Sequence, residues 1–374
     1  MISVNFGTKI YIGDDSLDRL SHFDHEKILI ITDNFISTSD LMVKVKSHIN
    51  DSNDIELFND VIPDPTIENI IAGIQAAKEF SPTQLIALGG GSPIDAAKGI
   101  LYFGKESGGI SDIPLIVIPT TSGTGSEVTN FSIITDAEKG IKYPLISDEI
   151  LPSEAILDSS LLKGLPNTLT ADTGIDVLTH AIEAYVSVKA NDISDALAEK
   201  AIAYVFKYLS RAFVDGADME AREKMHIASC MAGLAFNQAS LGLNHGIAHA
   251  AGAKFHIAHG RLNGILLPEV IKYNSGLTTK LNKDVAERYR QIAELLGLTA
   301  TSATIGTRSL VNEITKLLKS LDIPLSFKAF GLEKDVFEAN KEAIANDSLK
   351  DKSTDTNPIV PTVADVLGIL ERSY

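Results

Sequence analysis

Disulfide chemistry is almost absent from this chain: of 374 residues only Cys230 is a cysteine, so no intrachain bridge can form. A disulfide-stapled secreted scaffold is excluded, and a reducing, cytoplasmic compartment is the default expectation. Positive charge is also scarce. Lysine and arginine number 33 against 49 aspartates and glutamates, a formal net charge of −16, and the cations are scattered rather than clustered. Nucleic acid and anionic membranes are poor partners for such a surface, whereas a small soluble ligand suits it. Nothing approaches the ~18 consecutive apolar residues of a membrane span, and the N-terminal MISVNFGTKIYIG lacks the basic start and apolar core of a signal peptide. Internal repeats, low-complexity tracts and a Pro- or Ser-rich linker are missing as well.

What is present is an ordinary globular composition, 44% hydrophobic with a mean hydropathy of +0.11. That is enough for a sizeable core and, at this length, for about two domains. Short β-rich runs mark the first half: KILIIT (27–32), QLIALG (84–89), PLIVIP (114–119) and AILD (155–158). Unbroken apolar runs of this length read as parallel strands buried on both faces, with helices over 66–80 and 93–103 between them. Beyond about residue 160 the spacing becomes helical, over 170–188, 192–213, 218–238 and 284–296. The expectation is a parallel-sheet domain over 1–160 and an all-helical domain over 161–374, joined by a tight hinge near LPSEAILDSSLLKGLP with a ligand cleft beside it. The polar stretch SLKDKSTDTNP (348–358) reads as a loop that carries little information by itself.

Two loops point to a dinucleotide. QLIAL runs into Gly89-Gly90-Gly91-Ser92-Pro93-Ile94-Asp95 and then helix-forming Ala96-Ala97-Lys98. Bare backbone at a helix N-terminus suits a pyrophosphate, and Ser92 can cap the helix or donate to a phosphate oxygen. The spacing is not G-x-G-x-x-G, so a variant of the usual dinucleotide fold is required. A second loop, Pro119-Thr120-Thr121-Ser122-Gly123-Thr124-Gly125-Ser126-Glu127, is rich in hydroxyls after its own strand. Either loop alone also fits a plain tight turn; two on successive strands favour phosphate and ribose. Asp33, ending KILIIT, can accept from an adenosine ribose and repel a 2′-phosphate, which favours NAD over NADP.

A metal signal follows. Asp176 and His180 are four apart in a helical stretch, on one face. His245, His249, His256 and His259, four of nine histidines, fall in one short segment among Gly, Ala and Leu. A carboxylate with several imidazoles in small-residue, apolar surroundings suits buried Fe²⁺ or Zn²⁺. Hydrogen-bonded histidines in a packed helical pair would look similar, and spacing does not say which histidine stays unligated.

Taken together, GGGSPIDAAK (89–98), PTTSGTGSE (119–127), TGIDVLTHAIEAY (173–185) and NHGIAH…AHG (244–260) resemble the iron-containing, group III alcohol dehydrogenases, in order and over nearly the whole chain. DPTI (64–67), KGIKYPL (139–145), DALAEKA (195–201) and GLNHGIAH (242–249) are similar to the propanol dehydrogenases of propanediol-utilising bacterial microcompartments. The resemblance implies an α/β plus all-α architecture, a Rossmann-like domain followed by a helical iron-binding domain, as in the dehydroquinate synthase-like fold. It implies Fe²⁺ held by Asp176, His180, His245 and His259, with His249 an unligated histidine beside the substrate. It further implies that Asp33 contacts the adenosine ribose, that Gly90, Gly91, Ser92 and Asp95 hold the pyrophosphate, and that Thr120, Thr121, Thr124 and Lys142 line the rest of the dinucleotide site. A homodimer or larger homo-oligomer, with microcompartment shell or cargo partners, belongs to the same implication. The chain departs from the family pattern at Ser353 and Ile359, where relatives carry cysteine and arginine, so contacts of that arginine do not carry over.

The activity so implied is hydride transfer between a short primary alcohol and nicotinamide, propionaldehyde to 1-propanol in the narrower resemblance, with the metal as Lewis acid and His249 as proton relay. Three alternatives stand beside it. A metal- and NAD-dependent lyase or cyclase of the dehydroquinate synthase type would need cations near the ligands, and 240–260 holds only Lys254 and no arginine. A metal-dependent hydrolase would need a carboxylate base beside the histidines, and none lies in 240–260. A non-catalytic, shell-associated role leaves the ligand positions and both loops without a purpose.

Overall fold

The structure, a computed structural model, describes residues 4–139 and 141–374. Residues 1–3 of the N-terminal stretch and Gly140 of KGIKYPL lie outside the described residues. The chain divides into two compact units, one reaching Gly164 and the other starting at Leu165.

In the first unit, six strands form one sheet: β1 (Lys9–Ile12), β2 (Lys27–Asp33), β3 (Asp54–Val61), β4 (Gln84–Gly89), β5 (Leu115–Pro119) and, after an antiparallel hairpin of β6 (Phe131–Asp136) and β7 (Ile141–Ile146), β8 (Glu154–Leu157). All sheet neighbours are parallel, in the order β1-β8-β5-β4-β2-β3. The helices are the short α1 (Asn34–Ser37), α2 (Asp40–Ser47), α3 (Ile67–Phe80) and α4 (Gly91–Glu106). Alternation along the strands explains the unbroken apolar runs. Leu29, Ile31, Leu85, Ala87 and Val117 face one core with α3 and α4, while Ile28, Ile30, Ile86, Leu88 and Ile118 face another with Leu17, Leu20 and Val45. Both faces are covered, so neither set of side chains is free to be polar. The four strands expected from the sequence are present; β1, β3 and the β6–β7 hairpin are additions to it.

The chain runs from β2 outward to β3, but from β4 to β5 on the opposite side. The strand order therefore reverses between β2 and β4, the place where open parallel sheets bind ligands at their carboxyl edge.

The second unit is helical: α5 (Asn167–Val186), α6 (Asp192–Val214), α7 (Met219–Ala239), α8 (Leu243–Phe255), α9 (His259–Ser275), α10 (Lys283–Leu295), α11 (Ala303–Ser320), α12 (Phe327–Phe330), α13 (Lys334–Ser348) and α14 (Val363–Ser373). One apolar core joins α5, α6, α7, α10 and α11, and a second joins α8, α9, α13 and α14. From Gly174 to Val186 every residue of α5 is buried, a helix apolar on almost all sides. Asp176, His180 and Glu183 are the acidic and imidazole exceptions in that stretch, on one face by spacing. Segment 348–358 is irregular after the last residue of α13 apart from a 3-10 turn over Thr354–Thr356, as expected, but it is partly buried: Thr354, Thr356 and Asn357 are buried, and the following Ile359, in place of the family arginine, packs against the first helical core. Among the described residues no helix is long and apolar enough to cross a membrane.

Candidate metal centre and dinucleotide loops

Three helices of the second unit bring a donor set together. Asp176 and His180 come from the middle of α5, His245 from the first turn of α8, and His259 is the first residue of α9. The Nε2 atoms of His180, His245 and His259 lie 3.9, 3.6 and 3.5 Å from Asp176 Oδ1. One ligand atom from each of Asp176, His180 and His245 lies within 4.8 Å of the others, and all three residues are buried. The side chain of His259 is 40% exposed, so the cluster has one accessible flank.

Close approach of helices makes this possible. Gly260 packs its backbone on α5, where a Cβ would fall 1.9 Å from the carbonyl oxygen of Asp172. The adjacent Arg261 Nε donates to Asp172 Oδ1 at 2.9 Å, fastening the first turn of α9 beside Asp176.

A carboxylate–imidazole set of this kind fits Fe²⁺ or Zn²⁺ in donor chemistry and burial. Burial by itself would push the Asp176 carboxyl up, but His180, His259 and His245 outweigh it and hold it far below the ordinary carboxylate range. Burial likewise opposes charge on His245, yet Glu183 and Asp176 prevail and push its ring up to about 9. The first effect keeps Asp176 anionic, the form a cation needs; a bound cation would take the place of the second proton of His245 at Nε2.

Several supporting residues were not picked out from the sequence. Glu183 Oε2 accepts from His245 Nδ1 at 2.5 Å, and its other oxygen accepts from Asn244 N at 2.6 Å. This is a carboxylate–histidine arrangement that leaves His245 Nε2 for a metal. The Asn263 amide donates to Asp176 Oδ1 at 2.7 Å and sits 3.2 and 3.1 Å from the Nε2 atoms of His245 and His259. Glu183 follows His180 by three positions, so the face carrying Asp176 and His180 could have revealed it. Asp351, in the segment read as uninformative, accepts from His249 Nδ1 at 2.8 Å. His249 stacks on His259, ring centroids 5.2 Å apart. His256, the fourth histidine of the cluster, is exposed and caps α8 in left-handed conformation (φ 53°).

In the first unit, the carboxyl edge of the sheet carries the ends of β2, β4 and β5, and hence Asp33, Gly90 to Ser92 and Thr120 to Thr124. The α4 N-terminus has Gly90 as N-cap with no side-chain cap bond, leaving its N–H groups to an anion. The glycines also let the two loops touch. A Cβ on Gly91 would sit 2.9 Å from Thr124 Cγ2, and one on Gly90 3.3 Å from Thr121. Such a cradle of bare backbone and hydroxyls fits a dinucleotide phosphate.

The remaining positions behave differently from one another. Asp33 caps α1 through Oδ1, which accepts from Ile36 N at 2.8 Å. Thr120 is buried, its N–H bonded to the Gly89 carbonyl at 2.9 Å, and Thr124 Oγ1 accepts from Ser126 N at 3.3 Å. Ser92 does not cap α4; its hydroxyl accepts from Asp64 N at 3.3 Å, and Asp64 in turn binds Lys142 Nζ at 2.6 Å. Lys142, on the hairpin, is thereby brought to the glycine loop. Asp95 points inward: Oδ1 accepts from Ser126 Oγ at 2.9 Å and Oδ2 from Ile133 N at 3.2 Å. Burial pushes its carboxyl up to about 6 against the pull of Lys98. In this structure Asp95 ties the glycine loop to the hydroxyl loop and β6. Lys98, fully buried, completes the tie, its Nζ donating to Ser126 Oγ, the Thr129 carbonyl and hydroxyl, and the Phe131 carbonyl.

The sequence pattern described as iron-containing alcohol dehydrogenase matches residues 7–159, and that of the C-terminal part of the Fe-containing alcohol dehydrogenase family matches residues 170–374. The chain is 41% identical to 1-propanol dehydrogenase of Citrobacter freundii, with 100% of both chains covered. It is 39% identical to NADPH-dependent butanol dehydrogenase of Clostridium saccharobutylicum, covering 93% of this chain and 92% of that one. Among solved structures, sulfoacetaldehyde reductase from Bifidobacterium kashiwanohense in complex with NAD⁺ superimposes with a TM-score of 0.88 at 25% identity, covering 100% and 98%.

Proposed function

The chain belongs to the iron-containing alcohol dehydrogenases, and from that premise we propose that it reduces propionaldehyde to 1-propanol with NADH, at a metal centre formed by Asp176, His180, His245 and His259. That it is an iron-dependent dehydrogenase of short-chain alcohols and aldehydes follows from the family and its full-length relatives. The observation that carries the mechanism is the buried convergence of one carboxylate and two imidazoles, Asp176, His180 and His245, whose ligand atoms lie within 4.8 Å of one another. Full-length identity to a 1-propanol dehydrogenase supports the C3 substrate.

When bound, Fe²⁺ supplies a Lewis acid for the carbonyl oxygen and NADH supplies the hydride. Asp176 and the three imidazoles hold the cation, and the exposed flank at His259 admits the aldehyde. His249 handles the proton, delivering it from Nε2 to the oxygen of the product alcohol. Asp33 at the end of β2 receives the adenosine ribose and disfavours a 2′-phosphate by charge, which supports NADH over NADPH even though a butanol dehydrogenase relative uses NADPH. Gly90, Gly91 and Ser92 with the α4 N-terminus take the pyrophosphate; Thr120, Thr121, Thr124 and Lys142 line the loop beside it. Asp95 acts by holding these loops together. Zn²⁺ fits the same donors and would occupy the site when iron is withheld. A homo-oligomer and residence in a microcompartment rest on the narrower resemblance alone.

The test is anaerobic oxidation of NADH by propionaldehyde, with protein stripped by chelator and reloaded with Fe²⁺ or Zn²⁺, in parallel with NADPH and with ethanal and lactaldehyde. Fe²⁺-dependent turnover with NADH preferred and propionaldehyde the better substrate is expected. No turnover with any short aldehyde, despite measurable NAD⁺ binding, would overturn it in favour of a lyase-type reaction.

A further inference from the structure

His249 has a partner that neither the sequence pattern nor the family relation assigns. Asp351 lies 102 positions away in sequence, and its Oδ2 accepts from His249 Nδ1 at 2.8 Å. The segment that carries it is clamped onto the start of α8. Thr354 Oγ1 donates to the Ser348 carbonyl at 2.7 Å, Thr356 Oγ1 to the Leu241 carbonyl at 2.6 Å, and Asn357 Oδ1 accepts from Leu243 N at 3.2 Å. Gly246 permits this seating, since a Cβ there would fall 2.0 Å from Thr354 Oγ1. The second carboxylate oxygen of Asp351 is held by Ser353 N at 2.8 Å, so the side chain has little rotational freedom. Burial would raise its carboxyl, but the bonds from His249 and Ser353 outweigh that and hold it below the ordinary carboxylate range.

We propose that Asp351 is a positioning residue for the reaction: it holds the Nδ1 proton of His249, so that the ring gains and loses its mobile proton only at Nε2. This rests on the role given to His249 above. An imidazole has one proton in its neutral form, and the hydrogen bond at one nitrogen decides which nitrogen keeps it. With Nδ1–H committed to a fixed carboxylate, Nε2 is the exchanging atom of a ring that packs against His259 and, edge-on at 5.8 Å, against His245. Orientation of a general acid–base histidine by a buried carboxylate acts through the tautomer rather than by proton transfer to the acid.

Asp351→Asn isolates the effect. Its amide oxygen can keep the bond from Ser353 N, preserving the loop, while its NH₂ now faces Nδ1 and forces the opposite tautomer. In Zn²⁺-loaded protein, long-range ¹⁵N–¹H NMR should place the His249 proton on Nδ1 in the wild type and on Nε2 in D351N. In Fe²⁺-loaded protein, D351N should lower kcat for propionaldehyde roughly 100-fold, leave KM for NADH and metal content unchanged, and add no further loss in an H249Q background, while D351E restores part of the rate. Wild-type protein with the proton on Nε2, D351N turning over at the wild-type rate, or a loss that multiplies with that of H249Q would each overturn the proposal. If the wild type reduces no short aldehyde, the functional reading fails instead, and the NMR comparison still decides Asp351.

Discussion

Replacing Glu183 by glutamine tests how far the metal centre depends on a residue that touches no metal. Glu183 is buried, with one oxygen 2.5 Å from His245 Nδ1 and the other 2.6 Å from Asn244 N. Both neighbours are donors when His245 is ready to ligate through Nε2, and a carboxylate accepts from both. A glutamine has one acceptor and one donor, so it can satisfy only one of them. If its oxygen stays on Asn244 N, its NH₂ confronts Nδ1 and drives the histidine proton to Nε2, where the cation must bind. If the amide flips, its NH₂ confronts Asn244 N instead. Either way metal binding costs one buried hydrogen bond, about 1–3 kcal/mol, which agrees with the roughly 10- to 100-fold affinity loss typical of such partners. Titration of stripped protein with Co²⁺ or Zn²⁺ against a competing chelator measures this, with circular dichroism and thermal unfolding checking that the helical unit remains folded. E183Q that is folded and binds metal as tightly as the wild type would refute the reasoning.

Three further outcomes are expected. Asp33→Ser retains an oxygen for the Ile36 N–H cap and removes the charge, so the ratio of kcat/KM for NADPH to that for NADH should rise roughly tenfold or more; an unchanged ratio places cofactor choice elsewhere. Gly260→Ala puts a methyl 1.9 Å from the Asp172 carbonyl, so α9 must move off α5 at a cost of about 1–3 kcal/mol, and metal stoichiometry after purification should fall with the unfolding midpoint. Burial lifts the Glu127 carboxyl from 4.5 to about 7 against the pull of Lys98. The folded protein thus keeps a proton that the unfolded chain releases, so this residue makes stability fall as pH rises from 4.5 to about 7. Urea midpoints of wild type and E127Q across that window should converge at the acid end and separate in favour of E127Q toward neutral pH; parallel curves would contradict this.

Much of the fold was readable in advance because the relevant patterns are local. The runs around Ile28–Ile31, Leu85–Leu88 and Leu115–Ile118 are apolar at every position because both faces of a parallel sheet are covered, and helix ends in α3 to α7 fell within a few residues of the periodic segments. The hairpin of β6 and β7 was missed because only alternate residues of β6 are buried, none of residues 142–146 in β7 is, and Pro144 interrupts the strand pattern. Asp95 is instructive. Its place in the glycine motif suggested phosphate, and the hairpin, invisible beforehand, adds a structural role: Ile133 N and the hydroxyl loop both bind the carboxylate.

Composition, two loops and a cluster of histidines, with the family resemblance they carry, pointed from sequence alone to an acidic two-part chain with a candidate dinucleotide edge and a candidate carboxylate–imidazole metal set. Those features survive as linear patterns because helical and strand periodicities place neighbours in sequence on a common face. Tertiary structure decided which groups attend them. Glu183 reaches His245 because the first turn of α8 is seated on it through Asn244 N, Asn263 reaches Asp176 because Gly260 lets α9 lie on α5, and Asp351 reaches His249 because a polar segment 102 positions away is clamped to the start of α8. Hydrogen bonds of about 3 Å depend on helix crossings and loop seating, and no period in the chain encodes those distances.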